Sequence, residues 1–152
     1  MAFAINTAVA TAGNIGKGGL ANSKAIAYMN EGETALVAGR FVALSEKGVK
    51  ALSAKTDTLA GVVVRNVIKD ETQQGQLCDV MHIGTADSIW VEIAKGVEGL
   101  NRGDKVHVVA VANASKEVGT IQKAKDTTNC IETDYIVIIG LFFFYVFSIL
   151  TA

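Results

Sequence analysis

Short apolar runs separated by turns constrain the fold of this chain more than any other feature. Between Leu36 and Asn66, three apolar runs alternate with stretches of Gly, Lys, Asp and Ser, including a Lys47-Gly48 turn. This spacing is typical of short antiparallel strands, because turn residues reverse the chain after each run. Similar runs recur between residues 78 and 139, so strands are predicted along most of the chain.

The positions of these apolar runs predict how the chain is divided. Many short strands without a long helical period predict an all-β fold, a small antiparallel β-barrel or jelly-roll-like domain over residues 28–140. Residues 1–27 are rich in Ala, Thr, Asn and Gly and bury little side-chain area, so they are predicted to form an extended arm. Residues 141–152 form an apolar, aromatic tail. The only helix candidates are short, Ser23–Asn30 and Ala114–Val118.

A faint internal repeat links the two halves of the chain. The pattern Leu36-x-x-Gly39-x-x-Val42-x-Leu44 recurs as Leu100-x-x-Gly103-x-x-Val106-x-Val108. A glycine before a strand permits a tight bend, and the branched residues after it favour pairing. A duplication is one explanation, and chance similarity between β-strands is the other.

Composition excludes several classes of function. The formal charge is −1 and the chain has no Lys/Arg block, so no nucleic acid partner is expected. The N-terminus lacks the basic region of a secretory signal. Cys78 and Cys130 are far apart and outside any Cys-x-x-Cys pattern, which favours free buried thiols over a disulfide.

No catalytic, cofactor-binding or metal-ligating set is predicted. The glycines around Lys17 lack the spacing and the Ser/Thr of a phosphate-binding loop. Cys78 and His82 lie four residues apart in a predicted strand, where that spacing spans about 13 Å, too far for one metal ion. The paired carboxylates are best explained as solvated turn charges.

Several sequence segments resemble segments of the bacteriophage head-decoration or structural cement proteins. They are Val37–Leu44, Lys55–Val63, Trp90–Glu92, Arg102–Val108 and Asp126–Asn129. The resemblance covers roughly residues 33–140. It implies a small non-enzymatic β-domain, made in the host cytoplasm, that binds the exterior of the assembled capsid and bridges major capsid protein subunits in the virion. Self-association as a dimer or trimer is expected as well, since it would match a symmetry axis of the shell.

Aromatic and apolar residues outside the predicted core are the candidate partner interface. Trp90 should point away from Ile89 and Val91, either to anchor a partner or to fill a core. The interface residues predicted from the arm, this strand and the tail are Phe3, Ile5, Lys17, Trp90, Phe142, Phe143, Phe144 and Phe147.

The tail leaves a second function open. After Asp134 the chain carries no charge, and residues 135–150 could anchor a β-domain in a membrane instead of plugging a subunit interface. A disordered or artefactual end is a further alternative. A chain ending at Gly140 is expected to stay soluble under either functional hypothesis.

Overall fold

A computed structural model of the chain describes residues 11–17, 25–66, 68–82, 88–113, 115–141 and 144–149. Within these ranges all regular structure is β-strand and no helix occurs. The described strands are β1 (Ile15–Lys17), β2 (Ala25–Met29), β3 (Leu36–Val37), β4 (Phe41–Leu44), β5 (Val49–Ala51), β6 (Leu59–Val63), β7 (Glu71–Thr72), β8 (Leu77–His82), β9 (Ser88–Val91), β10 (Lys105–Val109), β11 (Ile121–Gln122), β12 (Cys130–Leu141) and β13 (Phe144–Ile149).

The strands form two main antiparallel sheets and one small ribbon. The first sheet has the order β2-β8-β6-β4-β5 and the second has the order β1-β9-β13-β12-β10-β11. β3 and β7 form the ribbon. These strands are rich in Val and Ile, whose branched side chains suit a pleated surface that is buried on at least one face.

The two sheets share one strand order when each is counted along the chain. Leaving out β1, both place their first, fifth, fourth, second and third strands side by side. The chain is therefore built from two copies of one five-stranded unit. Residues 25–82 are called the first repeat below, and residues 88–149 the second repeat.

Residue pairing shows that the two repeats match position by position. Most of their interstrand pairs keep the same relative register. The pairing of the second with the fourth strand shifts register at the same place in both, although by a different number of residues. Corresponding pairs are Ile26–Val80 with Ile89–Phe147, Leu44–Val49 with Val108–Ile121, and Val63–Val80 with Val137–Phe147. The repeated sequence pattern thus falls at equivalent positions of two units with the same strand order.

A left-handed glycine precedes the second strand of each repeat. Gly39 has a φ of 82° and Gly103 a φ of 90°. The Gly39 N–H donates to the carbonyl of Val63 at 2.8 Å, and the Gly103 N–H donates to Val137, also at 2.8 Å. The glycines thus turn the chain into equivalent strands, as the sequence pattern predicted.

Each sheet curls until the end of the first strand of its repeat meets the third strand at a single bridge. Asn30, directly after β2, bridges Val49 on β5, and Ile93, after β9, bridges Ile121 on β11. The Glu31 N–H strengthens the first contact by donating to the Val49 carbonyl at 2.9 Å. The all-β class is confirmed, but the predicted barrel or jelly roll is not closed, because the described edges pair no further.

One hydrophobic core joins the two repeats. It contains residues of both sheets, and the rings of Phe41 and Tyr135 pack across it with centroids 5.4 Å apart. A second core lies within the first repeat and includes Leu36 of the ribbon. Since burial of apolar side chains is the main favourable term in folding, the shared core holds the repeats together as a unit.

The structure corrects both helix predictions. The helix predicted over Ser23–Asn30 is wrong, because Ala25–Met29 is a strand paired with β8; pairing outweighs the helix propensity of Ala and Met. The helix predicted over Ala114–Val118 is also wrong for its described residues, 115–118. Strands β2 and β12 cross the boundaries predicted after residues 27 and 140, so the division into arm, domain and tail stays a prediction.

Candidate partner-binding surface

Trp90 lies on the face of β9 opposite to the core. Its neighbours Ile89 and Val91 are buried, whereas the indole is half-buried, in agreement with the predicted alternation. The backbone of Trp90 holds the preceding part of the chain: its N–H donates to the Asn14 carbonyl at 2.9 Å, and its carbonyl accepts from the Gly13 N–H at 2.7 Å. The indole therefore sits on a fixed backbone.

Exposed apolar side chains lie on both faces of the first sheet at β2, its edge strand. Ile26 is 46% exposed, Met29 40% and Leu77 71%. Met29 and Leu77 are direct partners across β2 and β8, so their side chains share one face of the sheet. We call Ala25–Met29 together with Leu77 the β2 edge. Exposed apolar residues on an edge strand are typical of a surface that another protein covers.

The two cysteines are buried. Burial raises the pKa of the Cys78 thiol to about 11, and burial also raises the pKa of Cys130. A thiol with a raised pKa is a poor nucleophile at neutral pH. In the part of the chain that the structure describes, no three His, Cys, Asp or Glu side chains are grouped to hold a metal ion.

The described residues form two equivalent β-sheet units, and apolar residues are exposed at the β2 edge. The model of the XM1 gp53 minor capsid protein family matches residues 1–140. The chain belongs to this family. A structural role in the phage capsid, and thus a place in the virion, follows from that membership, and the resemblance to phage capsid proteins is confirmed.

A solved structure shares the fold of this minor capsid family member. It is "The capsid of Myoviridae Phage XM1", at 19% identity and a TM-score of 0.73, over 97% of this chain and 97% of the other. Comparison with the curated proteins finds no match. Because the superposition covers 97% of 152 residues, it includes part of residues 141–152, although the family match ends at residue 140.

The predicted interface residues of this minor capsid protein fall in three places. Lys17 lies in β1, where its backbone pairs with Ser88, and Trp90 lies next to it in the sheet. Phe144 and Phe147 lie in β13, between β9 and β12. Outside the described residues are Phe3, Ile5, Phe142 and Phe143. The structure thus brings Trp90 into one sheet with β1 and β13, and the interface role of all eight stays a prediction.

Residues 135–141 and 144–149, which the alternative hypothesis assigned to a membrane anchor, lie in β12 and β13. Among the residues that the structure describes, none forms a helix with the length and hydrophobicity needed to span a bilayer.

Sequence reasoning missed the polar contact that links the two repeats. The Arg40 guanidinium donates to both carboxylate oxygens of Glu92, at 2.6 and 3.1 Å, and also pairs with Glu117. Arg40 is 20% exposed and Glu92 33%. Close by, the Glu92 N–H donates to the Gly39 carbonyl at 3.0 Å. These contacts fix the start of β4 in the first repeat against the end of β9 in the second.

Replacing Arg40 with methionine is expected to lower the free energy of unfolding by about 2–3 kcal/mol, because a half-buried Glu92 carboxylate loses a bidentate partner. Methionine keeps the apolar stem, so the loss reports on the charge. The matched control is Arg65→Met, whose ion pair with the exposed Asp70 should contribute at most about 1 kcal/mol. Urea denaturation measures both, and equal losses would contradict the assignment.

Proposed function

We propose that this minor capsid protein is a non-enzymatic accessory protein that binds the outer surface of the assembled phage head and stabilises joints between major capsid subunits. The observation that carries the proposal is the match to a minor capsid protein family over residues 1–140, on a chain that exposes apolar residues beside one another. Met29 and Leu77 lie side by side on one face of the sheet and expose apolar area, and adjoining exposed apolar residues are a feature of protein interaction surfaces.

The mechanism is adhesive. Each copy binds the assembled shell in preference to separated subunits, and this preference stabilises the shell by mass action. A lattice of many copies adds to the effect, because neighbouring joints must open together before subunits separate.

The duplicated fold suits such a bridge. Two five-stranded units with matching register are held rigidly by a shared core and by the Arg40–Glu92 pair. A rigid body loses less conformational entropy on binding than two tethered modules would. One copy can therefore contact both sides of a joint without a flexible linker between its halves.

Self-association as a dimer or trimer is part of the proposal. A shell that is symmetric favours accessory proteins that match one of its axes. Trp90 and the apolar residues of the arm and the tail are the proposed contacts, and Trp90 is the best placed for a test, because its backbone is fixed on both sides of the strand.

The proposal is tested by titrating purified chain onto heads assembled without it. Trp90→Ala is expected to weaken binding by about ten-fold or more, since buried tryptophans dominate interface energies. Lys95→Ala, at an exposed turn, is the control and should leave affinity unchanged. Binding of the parent chain to separated subunits as tightly as to whole heads would overturn the proposed mechanism.

Stability of the Trp90→Ala variant decides between an anchor and a core residue. An interface tryptophan leaves the free energy of unfolding nearly unchanged, whereas loss of a core tryptophan costs about 3–5 kcal/mol. Weakened binding with unchanged stability supports the anchor.

A further inference from the structure

One difference between the two repeats lies at the outer edge of their first strand. In the second repeat, β1 pairs with β9, and Gly13 and Asn14 bond to the backbone of Trp90. In the first repeat, β2 is the edge of its sheet. No described strand covers it, although β2 and β9 hold equivalent positions in otherwise matching units.

Equivalent residues of the two first strands also differ in exposure. Ile26 and Ile89 occupy the same register position, Ile26 opposite Val80 and Ile89 opposite Phe147. Ile26 is 46% exposed, whereas Ile89 is 4% exposed. Ile89 lies in the core shared by the two repeats, whereas Ile26 lies on the edge strand of its sheet.

The backbone of β2 is arranged to accept another strand. The residue equivalent to Trp90 is Ala27, by the same register. Because hydrogen bonds alternate sides along an antiparallel strand, the N–H and C=O of Ala27 point away from β8, as those of Trp90 point toward residues 13 and 14. Natural edge strands are usually protected by charges or proline, and β2 contains neither.

We propose that the outer edge of β2 binds residues 1–10 of a second copy of this chain as an added antiparallel strand. The inference rests on the self-association in the proposed function and names the segment and the surface that carry it.

Three features fit this occupant. Residues 1–10 carry no charged side chain, and Phe3, Ile5 and Val9 alternate with small residues as in a strand. Ten residues exceed the five of β2. Residues 13–17 already show that the N-terminal region of this chain adds to the equivalent edge of the second repeat.

The stoichiometry favours an exchange of N-terminal segments between copies of the chain. Each copy offers one uncovered β2 edge and one N-terminal segment, so mutual exchange satisfies both in a closed dimer, and a cyclic exchange does so in a trimer. Either arrangement covers every β2 edge in the assembly.

Mixed disulfide formation tests the pairing. One chain carries Ala27→Cys, and a second chain of different size carries Ala4→Cys, Asn6→Cys or Ala8→Cys in turn. Adjacent strands bring Cα atoms to about 4.5–5.5 Å, within disulfide range. The native Cys78 and Cys130 are buried with raised pKa values, so they compete poorly under mild oxidation by glutathione disulfide.

At least one of the three pairs is expected to form the mixed dimer about ten-fold faster than the matched control, in which Lys95→Cys replaces Ala27→Cys. The reaction is run in solution and on heads carrying both chains. Rates no higher than the control in both settings overturn the inference, as does a disulfide that forms only inside a single chain carrying both substitutions. A chain that binds heads but gives no mixed dimer refutes this pairing alone and leaves the proposed function intact.

Discussion

Replacing Gly39 with alanine is expected to lower the free energy of unfolding by about 3–5 kcal/mol, in the range of severe single substitutions. Gly39 has a φ of 82°, which L residues adopt at a cost of about 1–2 kcal/mol. An added Cβ would also lie 2.6 Å from the N atom of Gly13 and collide with the Cβ of Ala12. Backbone atoms cannot move aside as a flexible side chain can, so the cost of the collision adds to that of the conformation.

The duplication supplies the control for this substitution. Gly103 occupies the equivalent position with a φ of 90°, and nothing lies within 4 Å of a Cβ built there. Gly103→Ala should therefore cost only the conformational part, about 1–2 kcal/mol. Urea denaturation of both variants measures the difference. Equal losses would mean that residues 12 and 13 do not pack against Gly39 in solution.

The difference between these glycines has a functional consequence. Gly39 is the point where the N-terminal region meets the turn between β3 and β4, and the Arg65 N–H donates to the Gly13 carbonyl at 2.9 Å nearby. A variant that displaces residues 12 and 13 would also disturb β1 and the backbone of Trp90. Gly39→Ala should thus reduce head binding as well as stability, whereas Gly103→Ala should leave binding unchanged.

Local patterns in the sequence predicted the parts of the fold that depend on local requirements. The patterns that begin at Gly39 and Gly103 predicted two equivalent strands. A glycine permits a tight bend, and the β-branched residues after it favour strand pairing, so both requirements can be recognised in the sequence. A short strand over Cys78–Ile83 was predicted from its own apolar residues, and β8 covers Leu77–His82. The all-β class followed from the number of such runs.

Contacts between distant residues could not be predicted. The Arg40–Glu92 pair joins residues 52 apart in the chain, and no periodicity connects them. β2 was mistaken for a helix because Ala and Met favour helices in isolation, while its pairing with β8 depends on residues about 50 positions later. The uncovered edge, which carries the further inference, became visible only when the two repeats were compared in three dimensions.

The tail shows most clearly that pairing between distant strands cannot be predicted from local sequence. An uncharged aromatic run at the end of a chain resembles an appended segment, and the family match stops at residue 140. In the structure the same run forms β13, the fifth strand of the second repeat and the counterpart of β8. The duplication therefore gives residues 144–149 a role inside the sheet, a role that composition alone could not reveal.

A chain that ends at Gly140 is expected to lose the cooperative folding of its second repeat, which is opposite to the expectation from the sequence. β13 pairs with β12 on one side and with β9 on the other, so its removal splits the sheet and exposes two strand edges. The loss should approach the total stability of a small domain, on the order of 5 kcal/mol or more.

A chain ending at Ile149 is the control, and its free energy of unfolding should lie within about 0.5 kcal/mol of that of the parent. Thermal unfolding followed by circular dichroism, with limited proteolysis of residues 88–140, measures both. If the chain ending at Gly140 unfolds at the parent midpoint, then β13 is a separate extension and the second repeat is stable with four strands.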